Sequence, residues 1–289
     1  MNGILLIDKP AGWTSMDVCA RLRGVFKERR VGHSGTLDPM ATGLLVVFLG
    51  RATRAVEFAE ADEKTYEAAI RLGLTTDTQD ITGTVLSSCE VDITEEQFDA
   101  ALEKFRGDIL QVPPMYSAIK VEGKPLYKVA RKGGEVERQP RRVTVFSLER
   151  TGTIEGDITL SIRCSKGTYI RTLCHDIGVS LGCGGAMSAL RRTAAGPFSI
   201  ENARTLDAVL AAAERGEAER LLLPVETLFS GARTLKLSPV QEKSVRNGAG
   251  FSSRLSEGQF LLYAQNGEFL ALGRAVSGKM EIVKSFYSV

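Results

Sequence analysis

Val31-Gly32-His33-Ser34-Gly35-Thr36-Leu37-Asp38-Pro39-Met40-Ala41-Thr42-Gly43 is the stretch on which the reading of this chain turns. Three glycines and a proline within it argue against a regular helix or a central strand, and predict a tight loop. That loop carries a single carboxylate, Asp38, and one of the two histidines of the 289-residue chain, His33. Leu44-Leu45-Val46-Val47-Phe48-Leu49 follows, an apolar run of the kind that forms a buried strand. A loop fastened to a core strand can hold a carboxylate in one place, as catalysis requires. Spacing alone leaves a plainer reading open, in which Asp38-Pro39 simply starts a turn.

The string from Gly32 to Gly43 resembles the signature loop of the TruB-type tRNA pseudouridine synthases. Lys9-Pro10-Ala11-Gly12-Trp13-Thr14-Ser15 resembles the first motif of that family, Lys64-Thr65-Tyr66 the second, and Gly167-Thr168-Tyr169-Ile170-Arg171-Thr172-Leu173 the third. The resemblance covers nearly the whole chain. It implies that Asp38 is catalytic, that Arg171 pairs with it, and that Tyr66 stacks on the target base. Tyr169 and Leu190 would wall the base pocket, and His33 would fill the space that a flipped-out uridine vacates. An adjacent cation favours the charged carboxylate, so Arg171 is expected to lower the Asp38 pKa. The implied fold is α+β: a mixed, mainly antiparallel sheet flanked by helices, plus a small β-barrel-like C-terminal PUA domain. Residues 1–231 would form the catalytic domain and 232–289 the RNA-binding one.

Elsewhere the residues speak for themselves. Gly3 to Ile7 reads as a buried strand, with Ser15 the expected N-cap of a helix through about Phe26. Tyr66, Ala68 and Ile70 alternate with Glu67, Ala69 and Arg71, as on a half-exposed strand. Thr94-Glu95-Glu96-Gln97 is a capping box that opens a helix through Phe105. Ile158 to Cys164 alternates as a strand, a helix through Leu181 should follow Leu173, and Ala189 to Thr193 should be a further strand.

From Pro113 to Arg142 eight basic residues stand against three acids, with Tyr116 and Tyr127 among them. The plain reading of such a run is a solvated face. The sharper one is a phosphate grip, with Lys120, Lys124, Lys128 and Arg131 on the RNA backbone; it resembles the thumb-like insertion of the bacterial enzymes. From Ala232 onward eight basic residues face four acids, a tail of net +4 in a chain of net +2. Asn266-Gly267 between Leu261 and Ala271 suggests a hairpin with a type I′ turn.

Apolar content of 43% and charged content of 25% are ordinary for a globular protein. Five widely spaced cysteines, none in C-x-x-C pairs, suggest reduced thiols. With no signal-like or membrane-spanning stretch, a cytoplasmic protein is expected, a monomer without an obligate protein partner. Pseudouridine formation breaks the N1–C1′ bond, turns the base and rejoins it through C5. Nothing is oxidised and nothing leaves, so no cofactor and no metal are expected, and neither a phosphate-binding loop nor an H-E-x-x-H motif is present. Attack by Asp38 at C1′, attack at C6 and a glycal route all remain open. The implied substrate is the T-loop uridine, position 55 of tRNA, on its T-arm stem-loop. Three other readings compete: a metal hydrolase using His33, Asp38 and His175, a non-catalytic RNA binder, and a guide-RNA-dependent synthase. Two histidines make a poor ligand set, intact Asp38, Tyr66 and Arg171 speak against lost activity, and the basic insertion favours stand-alone recognition.

Overall fold

Two unbroken apolar runs, Ile4 to Ile7 and Leu44 to Leu49, are buried on both faces, because both faces of their strands are covered. Successive side chains point to opposite sides of a strand. Leu5, Ile7, Leu45, Val47 and Leu49 meet Val18 and Leu22 of helix Ser15–Phe26 and Val209 of helix Leu206–Glu214. Ile4, Leu6, Leu44, Val46 and Phe48 point the other way, into a core shared with Phe229, Leu261, Leu272 and Phe286.

The computed structural model describes residues 1–59, 63–117, 119–121, 123–130 and 132–287. Its main sheet is mixed and mainly antiparallel, in the order Arg204–Thr205, Gly3–Lys9, Thr42–Leu49, Gly185–Ala195, Glu63–Leu72, Asp157–Ser165, Arg141–Ile154, Gly107–Gln111. Strand Val31–Ser34 adds to Thr42–Leu49. A second core lies under Glu63–Leu72 and Asp157–Ser165, closed by Phe98 and Leu102 of helix Glu95–Glu103 and by Ile170, Leu173 and Ile177 of helix Ile170–Ser180. In the middle, Thr42–Leu49 and Gly185–Ala195 run parallel and pair only at Thr42 with Arg191 and Gly43 with Arg192. Gly43 has φ +96°, and a Cβ there would lie 2.3 Å from the Arg192 carbonyl oxygen, so only glycine fits this junction. The loop of residues 35–41 sits beside it.

Residues 233–285 form a separate curled sheet in the order Arg233–Lys236, Gly258–Tyr263, Phe269–Val276, Lys279–Ser285, Phe251–Ser252. Phe286 stacks on Phe269 at 5.3 Å and leans on Phe229 at 6.2 Å, with Phe58 edge-on to Phe229. Phe286→Ala should therefore destabilise the chain by about 3–5 kcal/mol, the usual loss for a buried phenylalanine, read as a shifted urea midpoint. Truncation after Gly231 removes the same seam, so loss of stability accompanies any loss of RNA affinity.

The α+β architecture agrees with expectation, and several local readings change. Thr14, not Ser15, caps the first helix, in a capping box with Asp17. Val31–Ser34 is a strand, not loop; its glycine, Gly32, pairs with Phe48. Helix Glu95–Glu103 ends two residues before Phe105. At the C-terminal hairpin only Gly267 has positive φ, and Gly267 N–H bonds the Ala264 carbonyl, so the turn is not type I′. Among the described residues no helix is long and apolar enough to cross a membrane.

Candidate active site

Asp38 sits on a loop held on both sides. The Leu37 N–H donates to Ser15 Oγ at 2.9 Å, and that hydroxyl donates back to the Leu37 carbonyl at 3.2 Å. The Pro39 carbonyl accepts from the Gly12 N–H at 2.8 Å and from Lys9 Nζ at 3.4 Å. Lys9 is fully buried and also donates to the Pro10 and Trp13 carbonyls, and burial brings its ammonium down to about 8. The segment that resembles the family's first motif is thus the clamp on the loop.

Arg171, in the first turn of helix Ile170–Ser180, reaches Asp38 from a segment 133 residues further along the chain. Its Nε lies 2.9 Å from Asp38 Oδ2 and its Nη2 3.4 Å from Oδ1. The guanidinium is itself over-determined: Nη1 donates to the Thr78 carbonyl at 3.0 Å and Nη2 to the Tyr116 carbonyl at 2.8 Å. Asp80 Oδ2 stands 3.7 Å from Nη1, and Asp80 Oδ1 accepts from the Thr78 hydroxyl and from the Thr82 N–H. Arg171 therefore lies between two carboxylates and is 6% exposed, while the Asp38 side chain is 36% exposed.

The pKa of Asp38 departs from expectation. Burial pushes it above the usual carboxylate range, and Arg171 offsets only part of that push, helped by Lys9 and opposed by Asp80. Desolvation outweighs the paired cation.

Tyr66 lies buried on Glu63–Leu72, in the same cluster as Leu37, Ala41 and Leu190. Across the strands its partner is Arg192. Burial raises its phenol above the ordinary tyrosine value, with Arg192 pulling the other way. Leu190 is on Gly185–Ala195, where its carbonyl accepts from the Thr42 hydroxyl at 3.5 Å. Tyr169 is fixed through its backbone, since the Gln111 amide accepts from its N–H at 2.8 Å and donates to its carbonyl at 3.0 Å. His33 stands on Val31–Ser34 with Nδ1 buried and without a hydrogen-bond partner among the described residues; burial, then Arg192, lowers its pKa, which favours the neutral ring.

The structure thus brings Asp38, Arg171, Tyr66 and Leu190 together, with Tyr169 next to Arg171. The RNA-backbone candidates lie apart from them. Lys124 and Lys128 are exposed on the short hairpin and helix Leu126–Ala130. The side chain of Lys120 and the whole of Arg131 lie outside the described residues. The insertion is nonetheless tied to the site, through the Tyr116 carbonyl on Arg171. Among the described residues no group of three or more His, Cys, Asp or Glu is arranged to hold a metal ion. Sequence reasoning missed Asp80, Gln111 and Arg192. Of these only Asp80 left a trace, within the polar connection of residues 75–83.

Residues 23–170 match the family model described as TruB family pseudouridylate synthase, N-terminal domain, and residues 171–230 match the tRNA pseudouridylate synthase B C-terminal domain. The tRNA pseudouridine synthase B of Opitutus terrae is 51% identical over 226 residues, 78% of this chain and 93% of that protein. Its counterpart in Azoarcus sp. is 43% identical over 281 residues, 97% of this chain and 93% of that one. Among solved structures, a chain from a Cbf5-Nop10-Gar1 complex superposes with a TM-score of 0.74 at 26% identity, covering 99% of this chain and 85% of its own.

Proposed function

Because the chain belongs to the TruB family of tRNA pseudouridine synthases, isomerases that convert uridine in tRNA to pseudouridine, we propose that its target is the T-loop uridine, position 55, and that Asp38 is its catalytic group. The observation that carries the reading is the Asp38–Arg171 contact of 2.9 Å beside the buried wall of Tyr66 and Leu190. A uridine in the folded T-loop must leave its stack to reach a carboxylate at that depth. Tyr66 stacks on the flipped base, a contact worth about 1–3 kcal/mol, with Tyr169 and Leu190 as further walls. His33, neutral and on the neighbouring strand, fills the vacated place in the RNA. Arg171 fixes the direction of the Asp38 oxygens toward the ribose and the base. The T-arm is the partner, gripped by the insertion of residues 113–142 and assisted by the basic sheet of residues 232–289.

Mapping the product tests the position. With a T-arm stem-loop, carbodiimide-adduct primer extension should stop at one site, position 55, and a transcript carrying cytidine there should give no stop. A stop at another uridine would contradict the T-loop assignment. For the grip, neutralising Lys120, Lys124 and Lys128 together should weaken binding. It should also flatten the slope of log K against log salt by up to about 0.9 per lost phosphate contact. An unchanged slope would make the run a solvated face.

A further inference from the structure

Arg192 is fully buried, a costly state for a cation without a carboxylate beside it, and it takes part in no ion pair among the described residues. Its Nε donates to the Leu44 carbonyl at 2.8 Å and its Nη2 to the Gly35 carbonyl at 3.0 Å. The third nitrogen, Nη1, is buried and has no hydrogen-bond partner among the described residues. It lies beside Gly35, where a Cβ would come within 3.2 Å both of it and of the Lys64 ammonium. Arg192 stands directly opposite Tyr66 in antiparallel register, which brings their Cβ atoms to about 4.5–5.5 Å. A guanidinium can only donate, and a phenol oxygen both accepts and donates. An Arg192 N–H on the Tyr66 oxygen therefore turns the phenol hydrogen away from Arg192.

We propose that Arg192 is a positioning residue that acts through Tyr66: when uridine enters the site the unpartnered Nη1 donates to the Tyr66 hydroxyl oxygen, holds the ring against the flipped uracil and aims the phenol O–H toward Asp38. The proposal rests on the reading of Asp38 and Tyr66 given above. The two remaining donors tie the same side chain to the loop at Gly35 and to the core strand at Leu44, so one residue sets base wall and carboxylate loop in register.

A double-mutant cycle separates this role from simple packing. Single-turnover rates on the T-arm stem-loop are compared for wild type, Arg192→Met, Tyr66→Phe and the double variant, each at saturating enzyme. Arg192→Met should slow the rate by about tenfold or more, as a misplaced group does, with the half-saturating concentration little changed. In the Tyr66→Phe background the same substitution should cost less than about twofold, because the hydroxyl it serves is gone. Arg192→Lys, which keeps the charge and a donor, carries the same comparison if the Met variant does not fold, with a smaller loss that also vanishes in the Tyr66→Phe background. Equal losses in both backgrounds, with Tyr66→Phe itself slow, overturn the role of Arg192 alone. A Tyr66→Phe enzyme as fast as wild type overturns the proposal, because the hydroxyl then does nothing, whereas a Tyr66→Leu enzyme as fast as wild type overturns the stacking reading of Tyr66 itself.

Discussion

Asp38→Asn should lower the single-turnover rate on a T-arm stem-loop by at least about 10⁴-fold, the scale of losing a reacting group. RNA affinity should change by less than about threefold, since the amide keeps the shape of the carboxylate and ground-state contacts barely differ. The split follows from the clamp. Ser15 on Leu37, and Gly12 with Lys9 on Pro39, fix the loop through backbone atoms that the substitution leaves alone. The chemistry is lost while the fold and the cleft stay. Equilibrium binding by filter retention beside the rate measurement checks both halves. A variant that turns over at a tenth of the wild-type rate would remove Asp38 from the mechanism.

Arg171→Met should slow the reaction by about 10²-fold or more, the size of loss that follows a misplacement of about 1 Å, and should also change its pH dependence. The sign follows from the balance at Asp38. Burial raises its pKa and Arg171 opposes the rise, so removing the cation lets the pKa climb further. With Asp38 in the proposed role the reactive form is the ionised one, whose fraction falls as pH falls through that pKa. The acid limb of the rate profile should therefore begin above the ordinary carboxylate range in the wild type and move to still higher pH in Arg171→Met. Arg171→Lys, which keeps the charge without the fork, should restore part of the limb and little of the rate. An acid limb at the same pH in both enzymes would contradict the coupling. The substitution also frees the Thr78 and Tyr116 carbonyls and leaves Asp80 without its cation, so a thermal melt belongs with the kinetics.

What could be read from the residues alone was the chemistry within short strings. Gly35 and Pro39 mark a loop, and the apolar run that follows marks a buried strand, so a fixed Asp38 follows from local rules; Gly43, read as loop, is already in that strand. Its meaning, and those of Arg171 and Tyr66, came from resemblance. What stayed hidden is what distant segments do to one another. Asp80 looks like turn chemistry until the helix at Arg171 packs over it, and nothing local links Gln111 to Tyr169, 58 residues apart. Arg192 looks like an ordinary basic residue after Leu190 until strand register places it opposite Tyr66. The sign of the Asp38 shift was misread for the same reason: Arg171 belongs to a motif, whereas burial is assembled by the whole fold. The seam of Phe58, Phe229, Phe269 and Phe286 likewise joins parts of the chain that carry no shared pattern.

The most direct test of the account uses a T-arm stem-loop carrying tritium at C5 of its uridines, incubated with the purified protein in EDTA. Rejoining the base through C5 expels that hydrogen to solvent. The wild-type chain should release one equivalent of tritium per RNA, from position 55, and Asp38→Asn should release none above background. No release by the wild type on a correctly folded stem-loop, or release that persists undiminished in Asp38→Asn, would contradict isomerisation at Asp38.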